Sequence, residues 1–344
     1  MSRLFEKIEN NEVYVIAEMS ANHGGSYSNA IRIINEAKRI GADCLKIQTY
    51  TADTITIDSN RPEFLIHGGL WDGYRLYDLY KDASTPWEWQ EGIKKECDRV
   101  GIDFLSTPFD KSSIDFLESI GADSFKIASF ELVDIPLIRY AAAKGKPMII
   151  SCGMGTEDEI SDALEACYSE NNHQVVLLKC CSEYPAKWED MHLSCIPDMK
   201  KRFGVNVGLS DHSSGSMAAV IGVALGACVV EKHIKLPDVD SPDSGFSMTV
   251  DDFSKMISDI KDCQSIKGDV FYGPTKSEDT KGRRSVYAVR DIAVGEAFSE
   301  ENVRSIRPSP VGALKPKYYD ELLGKKAKRE IKKGEPIIDS DLFE

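Results

Sequence analysis

Eight short apolar runs, separated by stretches of helical periodicity, constrain the fold of this chain more than any other feature. They cover residues 13–18, 44–48, 102–107, 124–129, 147–152, 175–180, 206–212 and 228–233. Each is nearly all apolar and rich in Val and Ile, as expected of strands buried on both faces. Between the first two, Ser28 is placed to cap a helix whose apolar positions Ile31, Ile34, Ala37 and Ile40 recur at spacings of three or four. Strand–helix alternation repeated eight times predicts an α/β fold, the (β/α)8 TIM barrel of about 250 residues.

An internal echo supports the repeat. Gly41-Ala42-Asp43-Cys44-Leu45-Lys46-Ile47 is matched by Gly121-Ala122-Asp123-Ser124-Phe125-Lys126-Ile127, and more loosely by Gly226-Ala227-Cys228-Val229-Val230-Glu231. Each copy places a glycine where a helix ends and a charged residue five positions on, inside the next strand.

Two regions break the rhythm. The long segment between the second and third runs has an aromatic middle, Leu70-Trp71, Tyr74, Tyr77 and Tyr80, which predicts a loop and short helix over the barrel mouth. Residues 268–282 are rich in Gly, Pro, Ser and charge and read as a linker. Beyond it, Asp291-Ile292-Ala293-Val294-Gly295-Glu296 is echoed by Glu330-Ile331-Lys332-Lys333-Gly334-Glu335. The expected organisation is a barrel over 1–267, the linker, and a small duplicated β-rich domain over 283–344. A domain that small has a marginal core and is expected to pack on a barrel, its own or a neighbour's.

Composition excludes several classes of function. The longest nearly uncharged apolar stretch, 218–230, is shorter than the roughly 20 residues that cross a bilayer. The first residues lack the apolar core of a signal peptide. Nine scattered cysteines, several inside the apolar runs, suit reduced thiols in the cytoplasm. A net charge of −14 argues against non-specific nucleic-acid binding. From Arg283 onward 13 basic residues face 11 acidic ones, leaving +2, while the preceding 282 residues carry 29 against 45, or −16. An acidic body that binds an anion must do so with a local cluster of lysines.

The runs end on chemically useful side chains. Residues two apart on a strand share a face, so Ser210 pairs with His212 and Glu231 with His233. Two imidazoles at adjacent strand ends are candidate metal ligands. With other positions left to water, substrate oxygens or a carboxylate, they suit Mn2+, with Mg2+ or Co2+ as alternatives. Glu18, Asp243 and Glu231 are each candidates to hold a metal-bound water. Lys46 and Lys126 are costly to bury unpaired. They read as an anion cradle with the hydroxyls of Thr107, Ser129, Ser151 and Ser210. Internal salt bridges to strand carboxylates are the plainer alternative, and a Schiff-base lysine a third. The turn Ser20-Ala21-Asn22-His23-Gly24-Gly25-Ser26 matches neither a Walker loop nor a dinucleotide fingerprint.

Taken in order, Ile16-Ala17-Glu18, Ser20-Ala21-Asn22-His23-Gly24-Gly25, Lys46-Ile47-Gln48-Thr49, Ser106-Thr107-Pro108-Phe109, Lys126-Ile127-Ala128-Ser129, Gly208-Leu209-Ser210-Asp211-His212 and Glu231-Lys232-His233 resemble the sialic acid synthase family. The tail from Arg283, with Ile306-Arg307-Pro308, resembles its antifreeze-protein-like (SAF) domain. The runs Gly68-Gly69-Leu70-Trp71-Asp72 and Lys46-Ile47-Gln48-Thr49-Tyr50 look most like the family's pseudaminic acid synthases. The resemblance implies condensation of phosphoenolpyruvate with an amino-sugar aldehyde to a nine-carbon 2-keto acid, with release of phosphate by C–O cleavage. It implies phosphoenolpyruvate on Lys46, Gln48, Thr107, Lys126, Ser129, Ser151, Ser182 and Ser210, and a metal on His212 and His233 that polarises the aldehyde. Glu18 would position or deprotonate a water. Glu131, Tyr184 and Asp243 would hold the sugar, and Arg307 would reach the sugar in a partner barrel of a domain-exchanged homodimer. One departure is Ser182 in Cys180-Cys181-Ser182-Glu183-Tyr184-Pro185, where sialic acid synthases tend to carry Asn; it favours a sugar other than N-acetylmannosamine. N-acetylmannosamine or a legionaminic acid precursor as the sugar, a metal-dependent aldolase or sugar-phosphate isomerase, and a glycan-binding module are the competing readings.

Overall fold

The structure, a computed structural model, describes residues 2–341; Met1 and 342–344, at the outer ends of the two predicted domains, lie outside the described residues. Eight parallel strands close into a barrel: β1 Tyr14–Glu18, β2 Cys44–Thr49, β3 Asp103–Pro108, β4 Phe125–Ile127, β5 Met148–Ser151, β6 Val175–Cys180, β7 Asn206–Asp211 and β8 Val229–Lys235. Each pairs with the next, and β1 pairs with β8 over Tyr14↔Val229 to Glu18↔His233, which seals the cylinder. A two-residue strand, β9 Met248–Thr249, extends β8. A helix follows every barrel strand, the last being Val250–Lys267. The alternation therefore predicts the fold correctly.

Two local expectations differ. The fourth run leaves the sheet at Ile127, and Ser129–Glu131 forms a 3-10 turn, so Ser129 is aimed by a turn rather than by a strand. The first barrel helix is Tyr27–Arg39, with Ser26 and not Ser28 at its N-cap. Gly24 and Gly25 take φ of 56° and 69°, which turns the chain early and starts the helix sooner.

Strand alternation sorts side chains into two layers. Val15, Leu45, Ile47, Phe125, Ile150 and Leu209 point outward and pack under the helices, each fully buried aliphatic or aromatic chain being worth about 1.5–3 kcal/mol. Tyr14, Ile16, Cys44, Leu105, Ile149, Val176, Leu178 and Val229 fill the barrel's interior at its N-terminal end. The helix Arg3–Glu9 plugs that end: Leu4 joins the interior cluster, and Lys7 and Arg3 reach Asp43 at 2.7 and 3.3 Å. A cavity of about 580 Å3 beside it, lined by Lys7, Asp43 and Ile257 among others, contains none of the unpartnered buried polar atoms. Apart from Ser2 Oγ at the start of that helix, those atoms gather at the opposite end, where barrel chemistry sits.

Glycines of the internal echo do what the pattern predicts. Gly41, Gly121 and Gly226 adopt φ of 89°, 82° and 105°, a region that side chains disfavour. The residues five positions on, Lys46, Lys126 and Glu231, thereby enter the same interior layer.

Residues 269–344 form a second compact unit. Residues 269–282 are exposed and carry only one 3-10 turn, Thr280–Gly282. Strands β10 Ser285–Ala288 and β11 Val303–Ile306 pair antiparallel, around a core of Val286, Ile292, Phe298, Val303, Ile331 and Ile337. The duplicated segments meet each other: Ile292 and Ile331 exchange both backbone hydrogen bonds at 2.8 and 3.0 Å. No helix among the described residues is long and apolar enough to cross a membrane.

Candidate active site

Register brings the charged residues of the interior together. Glu18 on β1 lies beside Lys46 on β2 and beside His233 on β8, and Ser210 on β7 lies beside Glu231. Lys46 is hydrogen-bonded to Glu18 and lies 3.3 Å from Glu231; Lys126 donates to Glu231 at 3.2 Å. All four side chains are buried. Burial raises the Glu18 carboxyl against the pull of Lys46. At Glu231 burial acts the same way but Lys126 and Lys46 outweigh it, holding that carboxyl at about 2. Burial lowers the Lys126 ammonium, whereas at Lys46 the two glutamates reverse the effect of burial and raise it.

These pairs amend the argument for an external anion. Glu18 and Glu231 already balance the two ammonium charges, because the third copy of the internal echo carries a carboxylate where the first two carry lysines. Donor capacity remains, since an ammonium has three N–H bonds and Lys126 donates to Glu231 alone among the described residues. Around it, Thr107 Oγ1, Ser151 Oγ, Glu231 Oε2, Glu131 Oε2 and His233 Nδ1 are buried without any hydrogen-bond partner. Buried polar atoms are nearly always partnered, so five orphans at one rim point to a polar ligand. Gln48 borders the same rim, donating to Ser20 Oγ at 3.0 Å.

Ser129 and Ser182 complete the cradle through a residue that sequence reasoning missed. Gly153 N–H donates to Ser129 Oγ at 3.1 Å. A Cβ at Gly153 would fall 2.3 Å from Ser182 Oγ and 2.7 Å from Ser129 Oγ. The signal was available in Cys152-Gly153-Met154-Gly155, directly after the fifth run. Cys180, also missed, ends β6 with Sγ 3.7 Å from Ser182 Oγ and 3.8 Å from His212 Nδ1.

The two imidazoles stand with ring centroids 5.5 Å apart. His212 Nδ1 donates to the Cys181 carbonyl at 2.9 Å, so in the neutral ring Nε2 carries the free lone pair; burial lowers this pKa, but Cys180 and the Cys181 carbonyl outweigh it and raise it. Burial, then His212 and the nearby lysines, push His233 well below its usual pKa, so it is the neutral form that binds metals. Its Nδ1 has no hydrogen-bond partner; Asp243 is 3.9 Å away. Among the described residues no three His, Cys, Asp or Glu side chains are arranged to hold an ion. Two imidazole nitrogens and an orphaned site fit a divalent ion completed by water or substrate oxygens.

Behind the histidines lies a buried ion pair that links their strands. Lys232 donates to Asp211 at 2.7 Å and to the Ser213 carbonyl at 2.6 Å, while Asp211 also accepts from Ser213 N–H and Oγ. These are the central residues of the two histidine motifs, pointing to the other face.

The residues assigned to a sugar divide. The Tyr184 ring lies 4.4 Å from the His212 ring, tilted by 42°, and burial keeps its phenol protonated. Asp243, raised by burial, accepts from Ala21 N–H at 3.3 Å. Glu131 is half-buried on the 3-10 turn, where burial lifts its carboxyl to about 7. Arg307 lies in the second unit, exposed after β11. The aromatic excursion does reach the site: the Trp71 ring lies 5.8 Å from Tyr184 and 6.3 Å from Phe246, a phenylalanine that no sequence signal marked.

The arrangement offers anion donors beside a pair of metal-competent imidazoles. Comparison with known proteins fits that chemistry. The NeuB family matches residues 33–272 and the SAF domain 283–342. A pseudaminic acid synthase from Campylobacter jejuni is 46% identical over 96% of each chain. One from Helicobacter pylori is 39% identical over 95% of this chain and 97% of its own. The crystal structure of an N-acetylneuraminic acid synthetase from Leptospira borgpetersenii matches with a TM-score of 0.69 and 29% identity, over 78% of this chain and 89% of its own.

Proposed function

The chain belongs to the NeuB family, and from that premise we propose that it is a pseudaminic acid synthase, condensing phosphoenolpyruvate with 2,4-diacetamido-2,4,6-trideoxy-L-altrose and water to give pseudaminic acid and phosphate. The observation that carries this reading is the set of orphaned buried atoms of Thr107, Ser151 and Glu131, with His233, around Lys126 at one rim of the barrel. Lys46, Gln48, Lys126, Thr107, Ser129, Ser151, Ser182 and Ser210 bind phosphoenolpyruvate. Its phosphate and carboxylate take the donor capacity that Glu231 leaves on Lys126. Glu131, Tyr184 and Asp243 hold the sugar so that C3 of the enolpyruvyl group meets the aldehyde carbon.

A new C–C bond forms there, the aldehyde oxygen takes a proton, water adds at C2, and the C2–O bond to phosphate breaks. Glu18, buried beside Lys46, takes the proton from that water. His212 and His233 would hold a divalent cation, Mn2+ by donor type, which when bound supplies Lewis-acid polarisation of the aldehyde. The nine cysteines are free thiols, consistent with work in the cytoplasm. The functional assembly is a domain-exchanged homodimer in which Arg307 of the partner subunit reaches the sugar.

Phosphate release from phosphoenolpyruvate, measured with this sugar, N-acetylmannosamine and a legionaminic acid precursor, tests the reading. Release should require an aldehyde sugar, favour the altrose, vanish with chelator and return with Mn2+. Preference for another sugar would move the enzyme to a different branch, and release without sugar would remove the synthase reading.

A further inference from the structure

Trp71 sits near the tip of the excursion between β2 and β3. The excursion is closed by the Leu65↔Arg75 bridge and by hydrogen bonds from Ile66 N–H to Tyr74 O at 2.8 Å and from Gly73 N–H to Ile66 O at 2.9 Å. Gly68, Gly69 and Gly73 hold φ of 79°, 73° and 84°, which lets the segment double back over the mouth. The indole N–H of Trp71 donates to the Pro242 carbonyl at 3.2 Å. Its one polar atom is therefore used, and the ring is fixed in orientation.

The ring belongs to a wall that leads to the histidines. Tyr184 and Phe246 are 5.0 Å apart; Tyr184 stands 4.4 Å from His212 and Phe246 4.8 Å from His233. Trp71 covers both from the outside yet remains only half-buried, so part of its surface is left for another molecule. That surface has no donor or acceptor to offer. The ring surface itself favours an apolar group, while the polar side chains Asp82, Asp240 and Ser241 line another part of the cavity that Trp71 borders.

We infer that Trp71 is a specificity-determining residue that packs against the 6-deoxy methyl group of the aldehyde sugar. The inference rests on the synthase reading above and adds to it the reason a deoxy sugar is preferred over its hydroxylated counterpart. The bland alternative is that Trp71 only fastens the excursion to Pro242 and Phe246, in which case all sugars suffer alike when it is removed.

The test compares the 2,4-diacetamido-2,4,6-trideoxy aldehyde with its 6-hydroxy counterpart at saturating phosphoenolpyruvate, in wild type, Trp71→Ala and Trp71→Phe. Wild type should prefer the deoxy sugar. In Trp71→Ala the kcat/KM ratio of the two sugars should contract about tenfold, the scale of one apolar contact, mainly through the KM of the deoxy sugar. The KM of phosphoenolpyruvate should stay unchanged, and Trp71→Phe should recover part of the ratio. An equal fall for both sugars, or a wild type that does not discriminate, overturns the inference and leaves the synthase reading standing. A wild type that turns over no aldehyde sugar removes both.

Discussion

Glu231 and Lys126 meet across the barrel at 3.2 Å, from strands β8 and β4 on opposite sides of the closed sheet. Lys46 joins them at 3.3 Å. The three residues are the corresponding positions of one sequence echo, so a repeat that positions a charge in each strand also neutralises it. The result is a rim balanced without ligand and still rich in unused donors.

Lys126→Met should raise the KM of phosphoenolpyruvate at least tenfold while changing the KM of the sugar little. Charge-assisted hydrogen bonds are worth about 1.5–3 kcal/mol, so a tenfold loss is the low end. Steady-state kinetics check this, and an unchanged phosphoenolpyruvate KM would make Lys126 a structural partner of Glu231.

Glu231→Gln removes the carboxylate shared by two buried ammonium groups. Breaking a buried pair by removing one partner costs about 3–5 kcal/mol, so the melting temperature should fall. Inorganic phosphate should then raise the melting temperature of the variant more than that of the wild type, because the anion replaces the missing charge. Equal shifts in both proteins would show that the lysines do not face the anion site.

Gly153→Ala forces a Cβ against Ser182 Oγ and Ser129 Oγ at separations no relaxed side chain adopts. Weaker phosphoenolpyruvate binding with little loss of stability is expected. Adding Ser182→Ala should restore part of the affinity, by relieving the closer of the two collisions. Normal affinity in the single variant would place the anion elsewhere.

The sequence carried the barrel because buried parallel strands write themselves as apolar runs, and it carried the histidines and lysines because charged residues at the ends of such runs stand out. Ser129 was legible as a site residue but not as part of a turn, since Ala128 extends the apolar run past the last ladder bond. Gly153, marked only by its place directly after the fifth run, is easily overlooked as a functional residue: its contribution is the side chain it lacks. Glu231 showed as a carboxylate on the histidine face, yet its pairing with both lysines depends on register across the closed sheet. Phe246 left no pattern because a single aromatic in a loop has none.

His23 gives stability a pH dependence separable from that of the site. Buried, with Nδ1 accepting from Gly25 N–H at 3.0 Å, it is lowered from 6.5 to about 4 by burial. The unfolded chain binds this proton below 6.5 and the folded chain only near 4, so stability is full above 6.5 and declines as pH falls through that window. The contribution is at most about 3 kcal/mol. His23→Gln should lose less stability between pH 7 and pH 4.5 than wild type by urea denaturation; an identical loss in both would exclude His23 as its source.

The most direct measurement uses phosphoenolpyruvate carrying heavy oxygen at the bridge between C2 and phosphorus, incubated with the diacetamido altrose and Mn2+. An account in which water adds at C2 and the C–O bond breaks predicts that the label leaves entirely in inorganic phosphate, by mass spectrometry, alongside an unlabelled nine-carbon keto acid. Label retained in the sugar product, or phosphate released without any such product, would contradict it.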